Sequence, residues 1–277
     1  MNRLLSTLLI VFIASIGFAG GPKPGEIGPT ESIVVNTHGV ALIQFHTLYG
    51  LPLGTPESNT LIARPIYCMS NNEQTKFADW VAYRLDKASV TAETKTKRKW
   101  KADPELQEEE TLEPADYKGA HAALHTDRGH QAPLASFKGT DYWRQTNYLS
   151  NITPQRSALN QGPWKRLEDS VRKLAVEQPV YVMTGPLYER QMKELPGADE
   201  SHKVPSGYWK IIAIQSYEQQ PLLVVGYIFN QETDRKATVL DHIVTVNEIE
   251  ARSGLDFFWQ LPDGVEEGIE STTSLTK

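Results

Sequence analysis

The polar and apolar positions of the chain fall into a few clear rhythms. In PWKRLEDSVRKLAVEQ (163–178) apolar residues recur at Trp164, Leu167, Val171 and Leu174, which is one face of a helix. Pro163 suits a helix start, because the N–H it lacks would have no intrahelical partner there. VYVMTG (180–185), YWKIIAIQ (208–215) and LLVVGYIF (222–229) are short runs rich in β-branched and aromatic residues, and predict buried strands. TVNEIEARSG (245–254) predicts a short helix, with Thr245 and Glu248 as a capping box and Gly254 as its stop. LIARPIYCM (61–69) and FADWVAYRL (77–85) predict two strands joined by the polar turn SNNEQTK. A mostly apolar segment covers 33–51, and a charged, loop-like region runs from Asp86 to about Tyr117. Strands and helices mix without strict alternation, which predicts an α+β fold with a central, mainly antiparallel sheet flanked by helices.

The two ends have a different character. MNRLLSTLLIVFIASIGFAG carries one early arginine, an apolar run from Leu4 to Ile16, and then small residues at Gly17, Ala19 and Gly20. That is the layout of a cleavable secretory signal, and the run is short for a membrane span. The expected organisation is a signal over 1–19, a Gly/Pro-rich leader over 20–27, one domain over 28–262, and a disordered acidic tail over 263–277. The mature protein is expected to be secreted or periplasmic, with no membrane attachment after cleavage. Cys68 is the single cysteine, so no internal disulfide can form, and its apolar setting predicts a buried, inert thiol.

The net charge is −6, which taken alone argues against a polyanionic partner. Its distribution changes that picture. Acid concentrates at ELQEEETLE (105–113) and in the tail, and base at KTKRKWK (95–101), so one basic surface is compatible with the total.

Candidate chemistry centres on TDRGH (126–130). HAALH places His121 and His125 four apart, a spacing compatible with zinc on a helix, but Ala122 and Ala123 leave no glutamate where HExxH needs one. No GxSxG, Walker A or GxGxxG sequence occurs. Asp127, Arg128 and His130 are followed by a block rich in Asn, Gln and Arg over 141–174. A neutral histidine can take a proton from water, arginine can hold a phosphate through two N–H groups, and an amide oxygen suits a hard, hydrated cation. These are the parts of metal-assisted phosphodiester hydrolysis.

DRGH, followed by TNYLSNITPQ and LNQGPWKRLE, resembles the DNA/RNA non-specific endonuclease family, the sugar-non-specific nucleases with a ββα-metal (His-Me finger) site. FADWVAYRL and RKWKADP upstream, and YVMTGPLY, KVPSGYWKII and EIEARSGLDFF downstream, extend the likeness over about residues 60–260. The resemblance implies a Mg²⁺-dependent endonuclease, with Mn²⁺ an alternative ion, that hydrolyses DNA and RNA to 5′-phosphate and 3′-hydroxyl ends. It implies His130 as general base, Asn160 as the protein ligand of the metal, Glu168 as acceptor from metal-bound water, Arg172 near the phosphate, and Arg98 stabilising the transition state. Asp127 is matched to an acid that orients the local network. Arg128 and Asn151 are expected to support the site, Gly129 to permit a turn, and Glu168 and Arg172 to share a helix face away from the apolar stripe. A homodimer and an inhibitor protein are admitted as partners. The competing readings are a catalytically weak nucleic-acid-binding or uptake protein on the same fold, and a zinc hydrolase using His121 and His125.

Overall fold

The computed structural model describes residues 37–91, 97–215 and 222–273, so the expected signal and leader lie outside the described residues. Helix α1 (Thr37–His46) leads into β1 (Thr60–Arg64), β2 (Tyr67–Asn72) and β3 (Phe77–Leu85), then the short α2 (Lys87–Thr91). After a long loop come α3 (Ala120–Leu124), β4 (Thr126–His130), β5 (Ile152–Arg156), α4 (Ser157–Leu159) and α5 (Lys165–Glu177). Strands β6 (Val180–Leu187), β7 (Gly207–Ile214), β8 (Leu223–Asn230) and β9 (Ile243–Val244) follow, with α6 (Val246–Ser253) and α7 (Asp263–Glu270) last.

Seven strands form one antiparallel sheet in the order β1-β2-β3-β6-β7-β8-β9, while β4 and β5 pair as a separate ribbon. Alternation along β7 sorts its side chains: Tyr208 and Ile212 join the core under α5, and Trp209, Ile211 and Ala213 join the opposite core with Val246 and Ile249 of α6. The α+β expectation is met. LIARPIYCM is not one strand, however. Pro65 cannot donate to a ladder, and the chain turns there so that β1 and β2 pair from Arg64↔Tyr67 outward.

Helix α5 buries Leu167, Val171 and Ala175, each aliphatic side chain of Leu or Val size contributing about 1.5–3 kcal/mol. Leu174, expected on that stripe, is exposed, and Ala175 one position on takes its place. The helix ends at Gln178, whose extended backbone (φ −157°, ψ 158°) suits a residue that precedes a proline. Thr245 caps α6 by accepting from the Glu248 amide at 3.1 Å, and Gly254 closes it at φ +75°. Residues 263–270, expected to be part of a disordered tail, form α7. Ile269 packs on the α6 side of the sheet and Glu270 is buried, so the acidic composition hid an apolar docking face.

Two devices place the ribbon. Tyr208 Oη and Gln231 Nε2 both donate to the Pro154 carbonyl at 2.8 Å, and the Arg156 amide donates to Gln231 Oε1 at 2.7 Å, which fastens β5 to the large sheet. Downstream, α4 runs into a break at Gly162 (φ −105°, ψ −118°) before α5 begins. A Cβ at Gly162 would lie 2.7 Å from the Arg235 carbonyl oxygen, a backbone atom that cannot swing away. Gly162→Ala is therefore expected to lose about 1–3 kcal/mol in urea unfolding, an overpacking cost. A wild-type unfolding midpoint would contradict this account of the break.

Candidate active site

The Asp127 carboxylate is the hub of the site. Ser157 Oγ donates to its Oδ1 at 2.7 Å, while Asn160 Nδ2 and Gln161 Nε2 donate to its Oδ2 at 2.9 and 2.8 Å. His121 Nδ1 lies 3.3 Å from Oδ1. Burial pushes the Asp127 carboxyl up, but the three donors and His121 outweigh it and hold it below the usual range. Hydrogen bonds to a charged acceptor are worth about 1.5–3 kcal/mol each, so this group ties β4 to the arm between α4 and the Gly162 break. Asn160 does not cap a helix with its side chain. With its Nδ2 committed to Asp127, its Oδ1 is the end left to accept or coordinate.

Arg128 and His130 alternate with Asp127 along β4, and Trp100 covers them. The Trp100 ring lies 5.3 Å from the His130 ring, with the Arg98 and Arg128 guanidinium carbons 4.6 and 5.5 Å from its centroid. Arg128 also donates to the Pro114 carbonyl at 2.9 Å and packs over Tyr117. Among the described residues neither Arg98 nor Arg128 has a carboxylate within 4.0 Å, so this pair of charges is not neutralised. A cavity of about 410 Å³ is lined by Arg98, Arg128, Asp127 and Asn160, with Trp100 and His121. Glu168, Arg172 and His130 are not part of that lining.

His130 Nε2 lies 3.4 Å from Asn147 Oδ1. The amide oxygen accepts from Nε2–H, which leaves the lone pair on Nδ1. Burial lowers the His130 imidazolium to about 4, with Arg98 acting in the same direction and Asn147 opposing. The ring is neutral near pH 7 and fit to accept a proton. Behind it, Asn151 is fully buried. It accepts from the Ala132 amide at 2.8 Å and donates to the Ala132 and Thr146 carbonyls at 3.0 and 2.9 Å, so it clasps the backbone that leaves His130.

Gly129 differs from expectation. It sits inside β4 opposite Thr153, not in a turn, and a Cβ there would meet Gln155 Cβ at 2.7 Å. Its role is clearance.

Glu168 departs from the expected face away from the apolar stripe. At 3.6 residues per turn Glu168 lies only about 40° around α5 from Trp164, beside the apolar stripe. Burial pushes its carboxyl up to about 7, opposed by Lys210 and Arg172. Arg172 pairs with Asp169, not Glu168, and its buried Nη1 has no hydrogen-bond partner. Asn147, Ser157, Gln161, Asp169 and Lys210 were not singled out by sequence. Gln161 and Ser157 flank Asn160 closely enough for their spacing to have suggested them, whereas Lys210 reads as an ordinary strand residue.

The zinc reading gains nothing from the structure. His125 is a left-handed helix cap, and His121 is turned toward Asp127 and Ser157. Among the described residues one group of carboxylates, Asp116, Asp199 and Glu200, brings oxygens within 4.8 Å of one another, and none of the expected site residues belongs to it.

A strand bearing Asp-Arg-Gly-His, its partner strand and an asparagine arm leading into a helix define a nuclease of the ββα-metal type. The model of the DNA/RNA non-specific endonuclease family matches residues 46–264, and the chain belongs to that family. A nuclease of Serratia marcescens is 50% identical over 227 residues, covering 80% of this chain and 83% of that one. The mitochondrial nuclease EXOG of Xenopus laevis is 30% identical, and the match spans 77% of this chain and 61% of that longer one. The crystal structure of an EndoG/EndoGI complex shares the fold at a TM-score of 0.66 and 24% identity, covering 83% of this chain and 95% of that one. The protein is a DNA/RNA endonuclease.

A direct check on the His130 environment is an NMR titration of the ring nitrogens in the metal-free protein. The ring is expected to stay neutral until the pH falls toward about 4, well below the free value of 6.5. A midpoint at or above 6.5 would show that burial does not control it.

Proposed function

We propose that the enzyme hydrolyses phosphodiester bonds with His130 as general base and a divalent cation held by Asn160. One observation carries this reading. A single strand bears the neutral His130 and the Asp127 that fixes Asn160, beside two arginines that have no carboxylate partner among the described residues. The donor set fits a hard, hydrated cation: one amide oxygen, with an ionised carboxylate behind it to accept from bound water. Mg²⁺, or Mn²⁺ in its place, would supply charge stabilisation at the phosphate and the 3′ leaving oxygen.

In this reading His130 Nδ1 takes a proton from water as the water oxygen bonds to phosphorus. The bond from phosphorus to O3′ breaks, its electron pair leaves on O3′, and that oxygen takes a proton from a second water, giving 5′-phosphate and 3′-hydroxyl ends. Arg98 and Arg128 receive the phosphate through the Trp100 face of the ribbon, and Arg172 adds positive charge from α5. Asp127 orients Asn160, Glu168 accepts from water, and Asn151 holds the backbone behind the base. Because the nucleophile is water and the contacts are to backbone phosphate, the 2′-hydroxyl has no part, and DNA and RNA are treated alike.

The apolar run Leu4–Ile16 supports export, with action outside the cytoplasm and no membrane attachment after cleavage. The EndoG/EndoGI complex suggests a protein inhibitor as a partner class, and a homodimer is compatible with these features.

The test is digestion of supercoiled plasmid and of RNA by the mature protein with Mg²⁺, with EDTA, and with His130→Ala. Both substrates are expected to be cut by the wild type. EDTA is expected to abolish cutting, and the substitution to slow it by at least about 10²–10⁴-fold, the usual range for a general base. Tight binding of both polymers without cutting, under Mg²⁺ or Mn²⁺, would replace this reading with a binding module on the same fold.

A further inference from the structure

Arg98 and Arg128 bring two like charges to one cavity, and they are held very differently. Arg128 is tied at one end, where it donates to the Pro114 carbonyl at 2.9 Å, while its buried Nε has no hydrogen-bond partner. Arg98 is exposed and makes no hydrogen bond or ion pair with another described residue. What it does meet is the Trp100 indole, with the guanidinium carbon 4.6 Å from the ring centroid. The same ring takes Arg128 at 5.5 Å. Trp100 is itself well placed for this. It packs on the cluster that contains Phe77, Leu112 and Tyr117. The next residue is clamped to the segment before β5, since the Lys101 amide donates to the Asn147 carbonyl at 3.2 Å and the Leu149 amide to the Lys101 carbonyl at 3.0 Å. A carboxylate is the usual partner for two neighbouring guanidiniums, but it would cancel their charge and repel an incoming phosphodiester. The face of an indole attracts a cation through its quadrupole and carries no net charge.

We propose that Trp100 is a positioning residue for the nuclease reaction: its indole stands in for a carboxylate, holding the Arg98 guanidinium beside Arg128 for the scissile phosphate without neutralising either charge. The inference rests on the reading that Arg98 meets the phosphate. An exposed arginine with no partner loses side-chain freedom each time it engages a ligand, and the ring removes much of that freedom beforehand. Trp100 also touches His130, at 5.3 Å between ring centroids, so the test has to separate its action on the arginines from its action on the base.

Trp100→Leu, Trp100→Phe, Arg98→Ala and the double variant Trp100→Leu with Arg98→Ala test this in the full chain. With Mg²⁺, Trp100→Leu is expected to lower kcat/KM about tenfold, and Trp100→Phe, which keeps an aromatic face, to stay within about threefold of the wild type. In the Arg98→Ala background Trp100→Leu is expected to cost less than about twofold more, because the group it positions has gone. Binding of a short DNA duplex in EDTA gives a second readout. The slope of log Kd against log salt is expected to be unchanged in Trp100→Leu, which loses no charge, and to fall by about 0.9 in Arg98→Ala. Equal losses in Trp100→Leu and Trp100→Phe, together with lowered melting temperatures, would make Trp100 merely structural. Losses that multiply in the double variant would show that it acts through another group, His130 first among them, and would overturn the proposal. A fully active Arg98→Ala would instead overturn the role of Arg98 itself. Should Trp100→Leu fail to fold, NMR of the wild type and Trp100→Phe decides. The Arg98 Cδ protons are expected to lie upfield under the indole ring current, and to move back part of the way in Trp100→Phe. Free-arginine shifts for Arg98 in the wild type would sink the proposal.

Discussion

The carboxylate of Asp127 is the joint on which the site depends. It receives donors from Ser157, Asn160 and Gln161, all on the arm that leaves β5, while its own backbone is fixed in β4 opposite Gln155. Without that joint Ser157 would still bond the His125 carbonyl, but the Asn160 amide could rotate. With it, one face of the amide is committed and the other is presented. The geometry is made possible by two glycines acting as clearance. Gly129 lets Gln155 lie against β4, and Gly162 lets the Arg235 backbone pass close to the break before α5.

A second arrangement holds the basic segment over the other face. Arg64, buried in β1, bonds Asp103, Glu105 and the Tyr67 hydroxyl, while Ser150 reaches Asp103 from the loop before β5. This network pins the chain just beyond Trp100, so Trp100 can lie on His130 and Arg128 even though Lys97, Arg98 and Lys99 are exposed. The result is a neutral base under an aromatic cover at the edge of an unneutralised positive field. An acidic protein with a net charge of −6 can attract a polyanion when its positive charge is placed this way.

Much of the fold was legible because its periods are strong. The stripe of α5, the apolar runs of β6, β7 and β8, and the cap and stop of α6 all appear where local pattern and tertiary packing agree. The failures lie where a local signal was read alone. Pro65 marked a hairpin inside an apolar run, Ala175 displaced Leu174 by the drift of a 3.6-residue turn, and the acidic stretch 263–270 concealed Ile269. At the site, DRGH and LNQG carried a recognisable spacing. Lys210 did not, because a lysine in a strand looks exposed until the partner strands and α5 enclose it. Glu168 escaped correct placement for the same reason, since its environment comes from residues about forty positions away.

Whether Asp127 orients Asn160 for the proposed metal can be measured without turnover. Mn²⁺ affinity, followed by EPR of the free ion, would be compared in wild type, Asp127→Asn and Asn160→Ala, with melting temperatures as a control on folding. Asp127→Asn is expected to weaken Mn²⁺ binding by about 10–100-fold, as for a group that orients a ligand, and Asn160→Ala to weaken it further. Unchanged Mn²⁺ affinity in a folded Asp127→Asn variant would contradict it.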